Sequence, residues 1–386
     1  MEIFPKSAKL DELMSRGIPF VIDGAIDAWP ARKWDAESLR QAFGNVETCV
    51  RLHPRSSSSI WETDCVFVQS TVGEFCTWLI EGDVTGELTR FPRDCFVGYA
   101  DYQEMARVFA EVPEAFEAID WTSFGVARHG AHSTLWLGSE GAHTPTHHDT
   151  YGCNLVAQLH GRKRWRLHSP DTAFRSCRVP YEESSVYTEA PDADESLPGA
   201  LEIELEAGQV LYVPKHWWHH VHTTSPYALS VNTWLDADDD DADRLREALV
   251  RTVACGLMSY SSGGTATSES SPFLWWLNPT EQCWPVKDNL AALETALVKV
   301  HPERRGLARS LAMQDIVNAL CARQVLDKAI EKLVVGCGRG SKRQRPLGTS
   351  SHHHDPAFRG KRPAPNRDET TVSGPPQALL TPSKKE

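Results

Sequence analysis

Residues 144–163, TPTHHDTYGCNLVAQLHGRK, constrain this chain more than any other stretch. They set His147 and Asp149 two positions apart, follow them with the apolar run Leu155-Val156-Ala157, and close on a basic turn at Gly161-Arg162-Lys163. Side chains two apart in an extended segment leave the same face, so the imidazole of His147 and the carboxylate of Asp149 can meet at one metal ion while His148 points away. A His-x-Asp pair alone is ordinarily solvated or hydrogen-bonded. It gains weight from residues 201–234, LEIELEAGQVLYVPKHWWHHVHTTSPYALSVNTW, which read as three short strands punctuated by Gly208, Pro214 and the Ser225-Pro226 turn.

This second stretch carries His216, His219, His220 and His222, all candidates for a third ligand. Strand parity separates His219 from His220 and His222 without saying which face looks inward. Two histidines and one carboxylate on neighbouring strands would occupy one triangular face of an octahedral ferrous ion. Three positions would stay open for a chelating co-substrate and dioxygen, an arrangement suited to oxidation. A dianionic co-substrate chelated at one end needs its other end neutralised, and Lys163 offers a candidate ammonium, with Arg162 and Arg164 read as solvated charges beside it. Trp136, Trp165, Trp217, Trp218 and Trp234 read mostly as barrel packing.

The strings TPTHHD, NLVAQLHGRKRWRLHSP, GQVLYVPKHWWHHV and SVNTW, in this order, resemble the JmjC family of iron- and 2-oxoglutarate-dependent oxygenases. Within it the chain is similar to the small cupin-like hydroxylases of the asparaginyl hydroxylase type. The resemblance runs from about residue 17 to about residue 248 and is strongest over 133–234. It implies a mainly β fold with α additions, organised around a double-stranded β-helix (jelly-roll, cupin) core. Carried onto this sequence, it makes His147, Asp149 and His219 the ligands of Fe(II), His219 because the family's WWH sets the distal ligand directly after the second tryptophan. It matches Lys163 to the lysine that pairs with the remote carboxylate of 2-oxoglutarate and Thr144 to a hydroxyl bonding the same carboxylate. Asn154 and Asn232 match polar side chains near the co-substrate, and Tyr99 matches a phenol reaching its carboxylate. Between Asp149 and Asn154 this chain has one residue more than the asparaginyl hydroxylase pattern, so the register of Asn154 is fixed less firmly than that of Lys163.

The activity so implied is oxidation of a C–H bond with release of succinate and carbon dioxide. Its substrate classes are a protein side chain to be hydroxylated, a methyl-lysine to be demethylated, or a tRNA base; the acidic body, with no evident basic groove, favours the protein side chain. The resemblance also implies a small heat-shock protein as partner, and a binding module for it with little or no catalysis is the alternative to the oxygenase. A zinc or manganese cupin without 2-oxoglutarate is a third class.

The 386 residues, 41% apolar, suffice for a large core, and the net charge of −12 argues against general nucleic-acid affinity. Ten scattered cysteines with no Cys-x-x-Cys pair, no leader-like start and no long apolar run predict free thiols, no membrane span and a cytoplasmic protein. The expected organisation is an N-terminal α/β extension over 1–125, the core over 126–240, a helical region over 241–335 and a disordered basic tail over 336–386. In the extension, SAKLDELMSRG and DAESLRQAFG read as helices, STVGEFCTWLIEG as a helix with Phe75, Leu79 and Ile80 inward, and MARVFAEVPEAFEAIDW as a helix broken at Pro113. Residues 171–200 read as a barrel-mouth loop whose Glu182, Glu183 and Asp192 to Glu195 would attract a basic segment or merely solvate it. Ser259 to Ser271 reads as a linker. Leu311, Ile316, Leu320 and Val325 give the C-terminal part an amphipathic helix able to pack on the barrel or to form a homodimer. KRQRP at 342–346 is a candidate nuclear signal, and HHHD at 352–355 a loose metal motif.

Overall fold

Alternation of inward and outward side chains along the central strands builds two facing sheets. The computed structural model describes residues 1–57, 60–82, 84–174, 186–188, 198–261, 286–302 and 309–338. Its strands are β1 (Glu2–Pro5), β2 (Phe20–Asp23), β3 (Glu47–Pro54), β4 (Val66–Thr71), β5 (Phe96–Glu104), β6 (Thr134–Ser139) and β7 (His143–His148). They continue with β8 (Cys153–His160), β9 (Arg162–His168), β10 (Val186–Tyr187), β11 (Leu201–Glu206), β12 (Val210–Val213), β13 (Trp218–Thr223) and β14 (Tyr227–Leu235). One sheet runs β1-β2-β12-β8-β14-β6-β5-β3-β4, the other β10-β7-β13-β9-β11. The eight strands β6–β9 and β11–β14 are shared four and four between the sheets, alternating except at the β9–β11 hairpin, and form the jelly roll; β1 to β5 extend the larger sheet at both edges. Residues 201–234 hold four strands, not three, because each of the three breaks ends one strand and starts another.

The helices are α1 (Leu10–Met14), α2 (Ala36–Phe43), α3 (Val72–Ile80), α4 (Met105–Val108), α5 (Glu114–Glu117), α6 (Asp240–Ser261), α7 (Val286–Val300), α8 (Arg309–Leu320) and α9 (Arg323–Gly338). Asp35 starts α2 through a reciprocal capping box with Ser38, worth about 1 kcal/mol. In α3, Phe75 and Leu79 face inward as expected, but Ile80 is 40% exposed; Cys76 and Trp78 fill that side instead. The helix expected to break at Pro113 is two single turns, α4 and α5, and the final amphipathic segment divides at Cys321 into α8 and α9. Ile316 packs beside Ala248, Leu293 and Ala296, while Val325 stays exposed. Most of the 171–200 loop, most of the 259–271 linker, and 342–346 and 352–355 in the tail lie outside the described residues. No helix among the described residues is long and apolar enough to cross a membrane.

Parity along each core strand divides the apolar residues between two cores. Leu155, Ala157 and Leu159 of β8 and Val210 and Tyr212 of β12 face the N-terminal helices. Val156, Leu211 and Val213 face the barrel interior, meeting Trp165, Leu167, Leu205 and Val221 of the smaller sheet. Full burial of such side chains stabilises the fold by roughly 1.5–3 kcal/mol each. This inner core fills part of the barrel and leaves the rest as a cavity.

Candidate metal centre and co-substrate cavity

Between the sheets lies a cavity open to solvent, walled by aromatic and polar side chains. All eight residues expected at the site line it: Tyr99, Thr144, His147, Asp149, Asn154, Lys163, His219 and Asn232.

His147, the penultimate residue of β7, lies beside His219 of β13, their ring centroids 4.1 Å apart. One ligand atom each from His147, Asp149 and His219 lie within 4.8 Å of one another. Each imidazole is fixed by a backbone carbonyl two residues back: His147 Nδ1 donates to Pro145 O and His219 Nδ1 to Trp217 O, both at 2.8 Å. Those bonds set the tautomer, turning the lone pair of each Nε2 toward the centre. Burial pushes the pKa of His147 down and that of His219 down to about 4, so both are neutral near pH 7. Burial opposes ionisation of Asp149, yet His219, His147 and the Trp234 N–H together hold its pKa below the ordinary carboxylate value. Neutral nitrogen donors and an ionised carboxylate are the protonation states a divalent transition metal requires. His148 turns to the other side, its ring 4.5 Å from Trp218, and His220 faces His143 rather than the centre.

The carboxylate is oriented by a polar chain. Trp234 Nε1 donates to Asp149 Oδ2 at 3.0 Å. Trp136 Nε1 donates to Asn232 Oδ1 (2.7 Å), Asn232 Nδ2 to Asn154 Oδ1 (2.9 Å), and Asn154 Nδ2 approaches Asp149 Oδ2 at 3.5 Å. Asn154 and Asn232 therefore act on Asp149 as well as lining the cavity.

At the other end Lys163 is 2% exposed. Its Nζ donates to Ser230 Oγ at 2.8 Å and Tyr99 Oη at 3.4 Å, and no carboxylate among the described residues pairs with it. Burial lowers its pKa to about 7. Gly161 makes the turn that delivers it: φ is +67°, and a Cβ there would sit 2.2 Å from Tyr227 O. Tyr99 also bonds Thr144, and burial raises its phenol pKa, leaving it a neutral donor. Behind Tyr99 the buried Arg51 pairs with Asp101 at 2.7 Å and donates to His143 O at 2.8 Å, tying β3 and β5 to β7. A buried ammonium without a carboxylate, facing hydroxyl donors across a cavity from three metal-type ligands, fits one terminus of a dicarboxylate.

Sequence reasoning missed several residues of this wall. Ser230 was not foreseen, although it stands two positions before Asn232 on β14 and shares its face. Trp136, Trp165 and Trp234, read as packing, line the cavity; Trp165 and Trp234 follow Lys163 and Asn232 by the same two-residue step. Tyr102 joins them through a β-bulge: Asp101 and Tyr102 oppose only Trp136 on β6, and Tyr102 adopts φ +51°. A second bulge sets Pro145 and Thr146 of β7 against His220, which lets Thr144 and His147 reach the same cavity.

The fold and this cavity define a double-stranded β-helix protein with a buried His-Asp-His face. Residues 5–241 match the family model described as "Cupin-like domain", and the chain belongs to that cupin-like JmjC family. It is 37% identical over 291 residues to human "HSPB1-associated protein 1", covering 72% of this chain and 58% of that protein. The zebrafish (Danio rerio) "HSPB1-associated protein 1 homolog" is 38% identical over 268 residues, 66% of this chain and 58% of that protein. Frog (Xenopus tropicalis) "Lysine-specific demethylase 8" is 28% identical over 229 residues, 56% of this chain and 47% of that protein. The chain thus spans less than two thirds of the length of these relatives.

Proposed function

We propose that this protein is an Fe(II)- and 2-oxoglutarate-dependent oxygenase acting on a protein side chain. His147, Asp149 and His219 would hold the iron. Lys163, with Thr144, Tyr99 and Ser230, would take the remote carboxylate of 2-oxoglutarate, while Asn154 and Asn232 orient Asp149. When bound, the metal and co-substrate supply oxidation of a substrate C–H bond by dioxygen, with 2-oxoglutarate leaving as succinate and carbon dioxide. The chain's own part is to present neutral Nε2 atoms, keep Asp149 ionised, neutralise one dicarboxylate terminus and exclude water with Trp136, Trp165 and Trp234. The observation that carries the reading is one cavity joining the buried ligand set to an ammonium that lacks a carboxylate partner among the described residues.

The test is turnover of 2-oxoglutarate to succinate without added substrate by the iron-loaded protein, beside His147→Ala and Asp149→Ala. Succinate above both variants is the expected result; equal background in all three removes the oxygenase. The second reading, a module that binds a small heat-shock protein, is favoured by similarity to proteins named for association with HSPB1. Co-purification with a recombinant small heat-shock protein, unaffected by Asp149→Ala, would then be expected. Cytoplasmic residence and the division 1–125, 126–240, 241–335 and 336–386 belong to the same proposal, and the boundary at 240 falls in the first turn of α6.

A further inference from the structure

We infer that Lys215 and the first turn of α6 form a lock that positions the two metal-bearing turns, so that the helical region is part of the metal centre's construction. The inference rests on the proposed metal site and concerns residues that do not touch the metal. Lys215 lies in the turn between β12 and β13, two residues after Val213 ends β12 and four before His219. Its Nζ contacts three carboxylates: Asp239 Oδ1 at 2.5 Å, Asp243 Oδ2 at 2.7 Å and Asp240 Oδ1 at 3.1 Å. Asp240 and Asp243 are themselves buried.

The same acids reach the other ligand turn. Asp240 Oδ1 accepts from Gly152 N at 2.9 Å, and its Oδ2 accepts from Ala237 N at 2.8 Å. Gly152 follows Asp149 by three residues, holds φ +61°, and has no room for a side chain, since a Cβ would sit 2.5 Å from Leu235 O. His216, next to Lys215, closes the bridge: its N donates to Asp149 O at 3.3 Å and its Nε2 meets Thr150 O at 3.1 Å. His216 is one of two described non-glycine residues with positive φ, at 67°. Such a conformation persists only where its surroundings over-determine it. Arg244 of α6 adds a contact over the Tyr151 ring at 4.8 Å. The turn carrying Asp149 and the turn leading to His219 are thus joined to each other and both to α6.

Three acids at a helix start would by themselves serve the helix dipole. Here they are engaged by a mostly buried lysine and a backbone N–H from separate turns, so their geometry is set by the metal-bearing loops. Lys215→Met keeps most of the volume and removes the charge. In the full chain, Co(II) affinity, read by titration of the cobalt absorption bands, is expected to fall about 10- to 100-fold, the usual cost of losing support behind metal ligands. Lys215→Arg should recover much of it. In the metal-free protein, amide exchange at residues 150–153 should quicken at least about tenfold in Lys215→Met while β8 beyond them is unchanged. Asp240→Asn, which keeps an acceptor for Gly152, should show the smaller change of the two. Wild-type Co(II) affinity together with wild-type exchange at 150–153 in Lys215→Met overturns the lock. Failure of the unaltered chain to bind Co(II) overturns the metal reading instead, and the exchange measurement then decides whether the turns are locked at all.

Discussion

The two ends of the cavity solve opposite electrostatic problems. At the metal end, burial strips protons from His147 and His219, while the Trp234 N–H donates to Asp149, whose pKa lies below the ordinary carboxylate value. At the far end, burial lowers the Lys163 pKa to about 7, and the groups that meet its ammonium are hydroxyls rather than a carboxylate. One end is ready before its ligand arrives; the other is completed by it. An enclosed cation that a dicarboxylate neutralises is costly when vacant and selective when filled.

Substitutions can break this contrast in order of expected effect. Asp149→Ala should lower Co(II) or Fe(II) affinity by more than about 100-fold, since even groups behind metal ligands are worth 10- to 100-fold; metal titration checks it. Lys163→Ala should weaken the oxalyl analogue of 2-oxoglutarate by about 10- to 100-fold, the scale of a hydrogen bond to a charged group, and leave metal affinity intact. Unchanged analogue affinity by calorimetry would remove Lys163 from its role. Trp234→Phe, which deletes the donor to Asp149 Oδ2, should cost about tenfold in metal affinity with little effect on the analogue's own contacts.

The smallest effect sharpens the comparison through pH. With the Lys163 pKa lowered to about 7 in the vacant site, the ammonium is present below that pH and lost above it. Analogue affinity should therefore fall about fivefold from pH 7 to 8, with proton uptake visible as a dependence of the binding heat on buffer. The sign also bears on stability. A lysine whose folded pKa lies below its unfolded value binds more protons when unfolded, so vacant protein should gain stability as pH rises from about 7 toward 10.5.

Much of this cavity was legible because strands repeat every two residues. The pair His147 and Asp149, and the separation of His219 from His220, follow from that period alone. Ser230, Asn232 and Trp234 obey it too, and stepping along β14 from Asn232 would have found both neighbours. Thr144 and Tyr102 were not legible in this way, since each stands three residues from a cavity partner and alternation sends it to the opposite face. Pro145, which cannot donate to a ladder, is the only local sign of the bulge in β7. The contacts of Lys215 were equally hidden: DADDDDAD reads as helix-start acids, and the partner that engages them comes from a turn over twenty residues earlier.

The bulge in β5 has a further consequence. Tyr99 and Tyr102 both face the cavity, while Gln103, directly after, bonds Thr48 on the far side of the sheet. Deleting Asp101 would leave Tyr102 alone opposite Trp136 and Gln103 still opposite Leu135, so the ladder would become regular with the phenol still toward the cavity and the amide still toward the helices. What the extra residue adds is therefore chemistry rather than register: Asp101 brings the carboxylate that pairs with the buried Arg51 at 2.7 Å, and loss of that charge is the damage its removal would do.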